Sequence, residues 1–236
     1  MHALVLWDVD HTLVDNGGVS KETYAAAFQA LTGFPPSGPA RTNGRTDRLI
    51  MREMFAANMW AMPPWSVVYE ALARAGAERF GAMQRRGSIL PGVREALSAL
   101  GDVPGVEQSL LTGNILPNAR MKITALGLEY AVDFDAGAYG SDSDSRADLV
   151  GIAQQRASIR CGGQHFHTAN TILIGDTIRD IDAGWEGGAQ VIAVASGSYT
   201  VTDLGSAGRA TVMENLCDTD RLLNEVVRLA GLPSSR

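Results

Sequence analysis

Ala3-Leu4-Val5-Leu6-Trp7-Asp8-Val9-Asp10 is the stretch that decides the fold. Its first five residues are apolar without a break, too few for a helix and unalternated, which is how a strand buried on both faces of a parallel sheet reads. The run stops abruptly in two carboxylates one residue apart. A similar pattern recurs twice: the leucine-containing run Gln108–Leu111 leads into Thr112-Gly113-Asn114, and the run Thr171–Ile174 leads into Gly175-Asp176-Thr177. A fourth apolar run covers residues 190–195. Helical patterns at 91–100, 117–126, 146–159 and 180–187 supply the crossovers that parallel strands require. The expectation is an α/β protein with a doubly wound, Rossmann-like parallel sheet, its polar clusters gathered at the carboxyl ends of the strands, where such sheets bind ligands.

Residues 19–84 break this rhythm. They hold helix-like segments at 21–31, 47–58 and 64–80 and no convincing strand. The division expected is an α/β core of residues 1–15 and 87–236 with an inserted helical domain of residues 16–86. Turn formers at both borders, Asp15-Asn16-Gly17-Gly18 and Arg86-Gly87 through Pro91-Gly92, suit hinges. Met51, Met54, Met59, Trp60, Met62, Trp65 and Tyr69 cluster in the insert, and their spacing assigns them to its core. Ser141-Asp142-Ser143-Asp144-Ser145 reads as a solvated loop.

A chain of 236 residues with 45% hydrophobic content can bury a sizeable core, which excludes disordered and fibrous classes. Its net charge of −6 gives no attraction to nucleic acid or to an anionic membrane surface. Cys161 and Cys217 are the only cysteines, far apart and outside any C-x-x-C spacing, which argues against a disulfide scaffold or zinc knuckle. With no run of about eighteen apolar residues and no basic leader, a cytoplasmic protein is expected.

Asp8 and Asp10 stand just past a buried strand, where both can face one ligand while Val9 packs away. Acidic turns after strands are also common without a ligand. Asp176 and Asp180 form a second pair at four-residue spacing, readable either as ligands or as a helix-capping cluster. Together these carboxylates make a hard oxygen site suited to magnesium. Thr112, Gly113 and Asn114 offer a hydroxyl, an amide and open backbone N–H groups for phosphate oxygens, or form a plain strand-to-helix connection.

Asp8-Val9-Asp10-His11-Thr12, Leu111-Thr112-Gly113-Asn114 and Gly175-Asp176-Thr177-Ile178-Arg179-Asp180, in this order and spacing, resemble the signature motifs of the haloacid dehalogenase-like hydrolase superfamily. The insert after the first motif looks like the mobile cap of its phosphoglycolate phosphatase and β-phosphoglucomutase branch. The resemblance implies a phosphohydrolase acting on a small phosphorylated metabolite. Asp8 would attack phosphorus, Asp10 would protonate the leaving alcohol and then activate water, and Thr112 would bind the phosphoryl group. Magnesium would be held by Asp8, Asp176, the backbone carbonyl of Asp10 and Asp180.

The chain departs from the pattern at the basic residue. The family expects a lysine at the start of the helix before the third motif, and this chain offers Arg146. Lys122 competes for that role, but its place inside the preceding helix makes a solvated face its expected home. An acid at position 10 disfavours dehalogenase and phosphonate-cleaving chemistry. His11 replaces a common glycine, and Arg45 in Gly44-Arg45-Thr46-Asp47 is a candidate substrate contact, with helix capping by Thr46 or Asp47 as the alternative. His165-Phe166-His167 is read as a polar loop. A phosphomutase and a catalytically silent binding module stand as alternative functions, and a monomer and a homodimer are both open.

Overall fold

The computed structural model describes residues 2–233. Its centre is β1 (Ala3–Trp7), every residue of which is buried. Ala3, Val5 and Trp7 pack on one side of the sheet and Leu4 and Leu6 on the other, as the two-residue period of a strand dictates. β2 (Val14–Asp15) follows, then four helices: α1 (Val19–Thr32), α2 (Asp47–Ala57), α3 (Trp65–Ala77) and α4 (Phe80–Arg86). The chain returns through β3 (Ser88–Ile89), α5 (Val93–Gly101), β4 (Val106–Thr112), α6 (Leu116–Ala125), β5 (Ala138–Tyr139), α7 (Arg146–Arg160) and β6 (Thr171–Gly175). It finishes with α8 (Ile178–Gly187), β7 (Gln190–Val194), α9 (Val201–Ser206), β8 (Thr211–Met213) and α10 (Thr219–Ala230).

Six strands form one parallel sheet in the order β5-β4-β1-β6-β7-β8, with β1 between the two strands that carry the other motifs. In register, Trp7 stands opposite Leu110 on one side and Ile174 on the other. Asp8 therefore leaves the sheet beside Leu111 and Gly175, and the three motifs reach one edge at one level. Helices α5, α6 and α10 cover the face that receives Trp7, through residues such as Leu97, Ile123 and Val226. Helices α7 and α8 cover the opposite face through Leu149, Ala153 and Ala183. This is the doubly wound α/β architecture expected.

Three of the helices between β2 and β3, α1 to α3, surround a separate apolar cluster built on Phe28, Met51, Phe55, Val68 and Leu72, joined by Ile115 from the turn before α6, whereas α4 packs Met83 into the main core. The antiparallel pair β2–β3, with Val14 opposite Ile89 and Asp15 opposite Ser88, brings the two ends of this segment side by side. Two expectations are corrected here. Met59 and Trp60 are not core: α2 stops at Ala57, so helical spacing no longer applies, and Met59 is 95% exposed at a φ of 58°. Nor is the 141–145 loop merely solvated. Asp142 accepts from both terminal nitrogens of Arg156, and Asp144 forms ion pairs with Arg48 and Arg52 of α2.

Candidate active site

A cavity of about 300 Å³ opens at the carboxyl edge of the sheet and is lined by Asp8, Asp10, Thr112, Gly113, Asn114, Arg146 and Asp176 from below. From the helical segment, Asn16, Ser20, Tyr24, Arg45 and Asp47 close it. All three motifs thus face one space. The loop before α2 is seated directly on the second motif: the Asp47 backbone N–H donates to the Gly113 carbonyl (2.6 Å) and the Ile115 N–H donates to the Asp47 carboxylate (2.8 Å). A Cβ on Gly113 would lie 2.0 Å from the Arg45 carbonyl oxygen, so glycine is required for this approach.

Asp8, Asp176 and Asp180 bring carboxylate oxygens within 4.8 Å of one another, and all three are buried. Asp180 is fixed by a capping box at the start of α8: its Oδ2 accepts from the Thr177 hydroxyl (2.6 Å) and backbone N–H (2.9 Å). A Cβ on Gly175 would lie 2.3 Å from Asp180 Cγ, which is why the strand ends in glycine. Capping and membership of the acidic cluster therefore coexist at Asp180. Its Oδ1 meets Arg146 Nη2 at 2.5 Å as an ion pair lacking hydrogen-bond geometry. The same Nη2 lies 2.9 Å from Asp8 Oδ1.

One guanidinium thus serves three buried carboxylates. Burial pushes Asp8 up to about 6 against the pull of Arg146, with Asp180 and Asp10 adding to the rise. Burial, reinforced by Asp180 and Asp8, pushes Asp176 up to about 9. Burial works against the charge of Arg146, yet Asp180 and Asp8 hold it above its ordinary range. Three hard oxygen donors with this shortage of positive charge fit a divalent cation such as magnesium.

Asp10 has different surroundings. Its side chain is not part of the acidic cluster. Its oxygens accept from Lys122 Nζ (2.8 and 2.6 Å), from Asn16 Nδ2 (2.7 Å) and from Asn114 Nδ2 (2.8 Å). Burial favours its protonation, but Lys122 and the two amides outweigh burial and hold the carboxyl below its usual range. The placement expected for Lys122 is corrected: it is 2% exposed and has no solvated face. Asn114 is spent on the same network, donating to Asp10 and to Thr112 Oγ1 (2.8 Å) and accepting from Lys122 (2.6 Å). Its carboxamide is therefore turned to Asp10, whereas Thr112 Oγ1 accepts and keeps its proton for another partner.

Arg45 lines the cavity and lies 3.5 Å from Glu53, its Nε buried without a hydrogen bond. Thr46 caps α2 as the alternative reading required, accepting from the Leu49 N–H (3.3 Å). Asp47 also accepts from the Tyr24 hydroxyl at 2.5 Å, and burial, partly offset by Tyr24 and Ile115, pushes it up to about 6. His11 sits at a φ of 64°, the left-handed region in which glycine is free of strain. Asn16 and Asp47, which the sequence offers only as a turn former and a helix cap, join Tyr24 and the 196–198 loop as cavity residues that the sequence does not mark. Asn16 and Tyr24 lie in stretches whose turn and helix signals explain them without a site.

A sequence model of the HAD-hydrolase-like family matches residues 147–219. Over its whole length the chain is 24% identical to "Probable phosphatase IndB" of Dickeya dadantii (strain 3937), covering 99% of that protein. Among solved structures, a hydrolase from Pseudomonas syringae superposes with a TM-score of 0.68 at 21% identity, over 96% of this chain and 99% of the other. CbbY from Rhodobacter sphaeroides, solved in complex with phosphate, gives a TM-score of 0.65 at 16% identity, over 92% and 96%. No helix among the described residues is long and apolar enough to cross a membrane. The family match thus runs from α7 through β8, and the solved structures share the fold of nearly the whole chain.

Proposed function

We propose that the protein is a magnesium-dependent phosphohydrolase that cleaves phosphate monoesters of small metabolites through an aspartyl-phosphate on Asp8. The observation that carries this reading is the placement of a buried Asp8 at the floor of a cavity, beside a fixed cation and within reach of two further buried carboxylates. The phosphatase named among its relatives supports the same class of reaction.

Asp8 supplies the attacking oxygen, and Arg146 orients it and balances the charge that gathers there. Asp10 passes a proton to the departing ester oxygen and later accepts one from water. Thr112 Oγ1, whose proton is uncommitted, donates to the phosphoryl group, assisted by the Gly113 backbone. Asp8, Asp176, Asp180 and the Asp10 carbonyl would hold magnesium, which when bound lowers repulsion between the nucleophile and an anionic substrate. Residues 16–86 form a cap over a core of residues 1–15 and 87–236, and Arg45 on the cap side contacts the part of the substrate beyond phosphate. The cavity volume fits a small metabolite.

The test is phosphate release from a panel of sugar phosphates, phosphoglycolate, nucleotides and an aryl phosphate by wild type and Asp8→Asn, with and without magnesium. Metal-dependent release that Asp8→Asn abolishes is expected. Silence of the wild type across the panel, or equal activity of the variant, overturns the reading.

A further inference from the structure

Lys122 is the buried ion that the reaction outlined above leaves without a task. It is the seventh residue of α6, and the spacing Ile115, Ala119, Lys122 places it on the same helix stripe as two fully buried apolar residues. Removing an ammonium from water is costly, and a well-packed apolar side chain commonly holds a core at least as well as a buried ion pair. Packing therefore gives no reason for a lysine here. Its contacts do. Nζ lies 2.8 and 2.6 Å from the two oxygens of Asp10 and 2.6 Å from Asn114 Oδ1, and Asn114 in turn donates to Asp10 at 2.8 Å. Each group that Lys122 grips is Asp10 or a side chain that also grips Asp10. By contrast, the guanidinium of Arg146 contacts Asp8 and Asp180.

We propose that Lys122 is a positioning residue for Asp10, fixing both oxygens of the carboxylate so that one geometry serves both proton transfers. The inference rests on the reading of Asp10 as the acid and base of a phosphohydrolase. In the first step the Asp8 oxygen bonds to phosphorus and the bond from phosphorus to the ester oxygen breaks; Asp10, which takes up a proton from solvent before this step, passes it to that oxygen. In the second, water oxygen bonds to phosphorus, its proton passes to Asp10, and the bond from phosphorus to Asp8 breaks. Lys122 gains and loses no proton in either step. A proton crosses only within hydrogen-bond reach, so a carboxylate released from its anchor loses rate while substrate binding is kept.

The experiment compares Lys122→Met, Lys122→Arg, Asp10→Asn and the double variant Lys122→Met/Asp10→Asn on an alkyl and an aryl phosphate. An aryl leaving group departs without protonation, so a defect that acts through Asp10 weighs more on the alkyl ester. Lys122→Met is expected to lower kcat and kcat/KM for the alkyl ester by roughly 10- to 100-fold at nearly constant KM, with a much smaller loss of kcat/KM for the aryl ester. Lys122→Arg restores part of the loss, and Lys122→Met adds no further loss once Asp10 is Asn. Equal losses on both esters, a raised KM with kcat kept, or a full extra loss in the Asp10→Asn background overturns the proposal. Lys122→Gln, which keeps a donor, carries the same comparison should Lys122→Met fail to fold. Thermal unfolding of the same set reads the pairing without turnover. Coupled shifts support the anchor, and additive shifts overturn it, even if wild type hydrolyses neither ester, a result that would remove the hydrolase reading separately.

Discussion

The two aspartates of the first motif are two residues apart and sit in opposite electrostatic surroundings. At Asp8, three buried carboxylates share one arginine, and burial wins: Asp8 and Asp176 are pushed up to about 6 and about 9. At Asp10, one carboxylate has a lysine and two amides to itself, and the donors win, holding it below its usual range. The first corner is short of positive charge and the second is complete. A corner left short is one that an external cation and an anionic substrate can fill. A complete corner is preorganised and resists rearrangement.

Removing the proposed nucleophile should break the comparison most severely. Asp8→Asn keeps the shape of the floor and removes the attacking oxygen, so phosphate release should fall by roughly a thousandfold or more. The same variant should fold, because it relieves crowding among like charges. A well-folded Asp8→Asn that retains wild-type turnover would mean that the corner short of charge is not the reactive one.

Magnesium gives the next effect. A cation that binds only the folded protein stabilises it by mass action, about 2.7 kcal/mol at a hundred times its dissociation constant. Wild type should therefore melt higher with magnesium, and Asp176→Asn should lose most of that rise. Lys122→Met should keep it, since its side chain belongs to the other corner. An equal magnesium response in wild type and Asp176→Asn would place the cation elsewhere.

The two corners also respond to pH in opposite senses. Asp8 and Asp176 have folded values raised above 3.8, so the folded state binds more protons than the unfolded chain, and their contribution is lost as pH rises through about 6 and about 9. Asp10 has a lowered folded value, so its contribution is present above 3.8 and is lost as pH falls through that lower value. Denaturant melts of metal-free protein should show stability declining from about pH 4 towards pH 9. Asp176→Asn should flatten the decline, and saturating magnesium should remove it. A metal-free stability that instead rises over that range would contradict the assignment of the shortage to the Asp8 corner.

What could be read in advance follows the same division. Asp8, Thr112 and Asp176 each follow a short stretch that ends in apolar residues, Leu6-Trp7, Leu110-Leu111 and Leu173-Ile174-Gly175, and such stretches locate strand ends from neighbouring residues alone. Asp180 was legible because four-residue spacing after Asp176 is local. Lys122 could be named as a candidate cation but not placed: its partner Asp10 is 112 positions away, and lysine in a helix normally faces water. The stripe Ile115-Ala119-Lys122 was the available signal, a cation at a position that spacing assigns to the core. Strands β5 and β8, two and three residues long, carry too few residues to show a period. The Arg48–Asp144 and Arg52–Asp144 contacts join residues that each look solvated on their own.

That last contact supplies the smallest effect and the control for the others. Asp144 stands two residues before Arg146 and ties the start of α7 to α2, 3.3 Å from Arg48 and 2.6 Å from Arg52. All three side chains are between 38% and 53% exposed, so water and salt screen them. Asp144→Asn should cost less than about 1 kcal/mol at low salt and almost nothing near 1 M salt, where the screening length falls to about 3 Å. Lys122→Met breaks a pair that salt cannot reach, so its loss should persist unchanged in both solutions. Melting both variants at two salt concentrations separates the cases. A loss in Asp144→Asn that survives high salt would make the tie between α2 and the sheet edge a rigid part of the site, whereas a salt-labile one leaves that edge free to open for substrate.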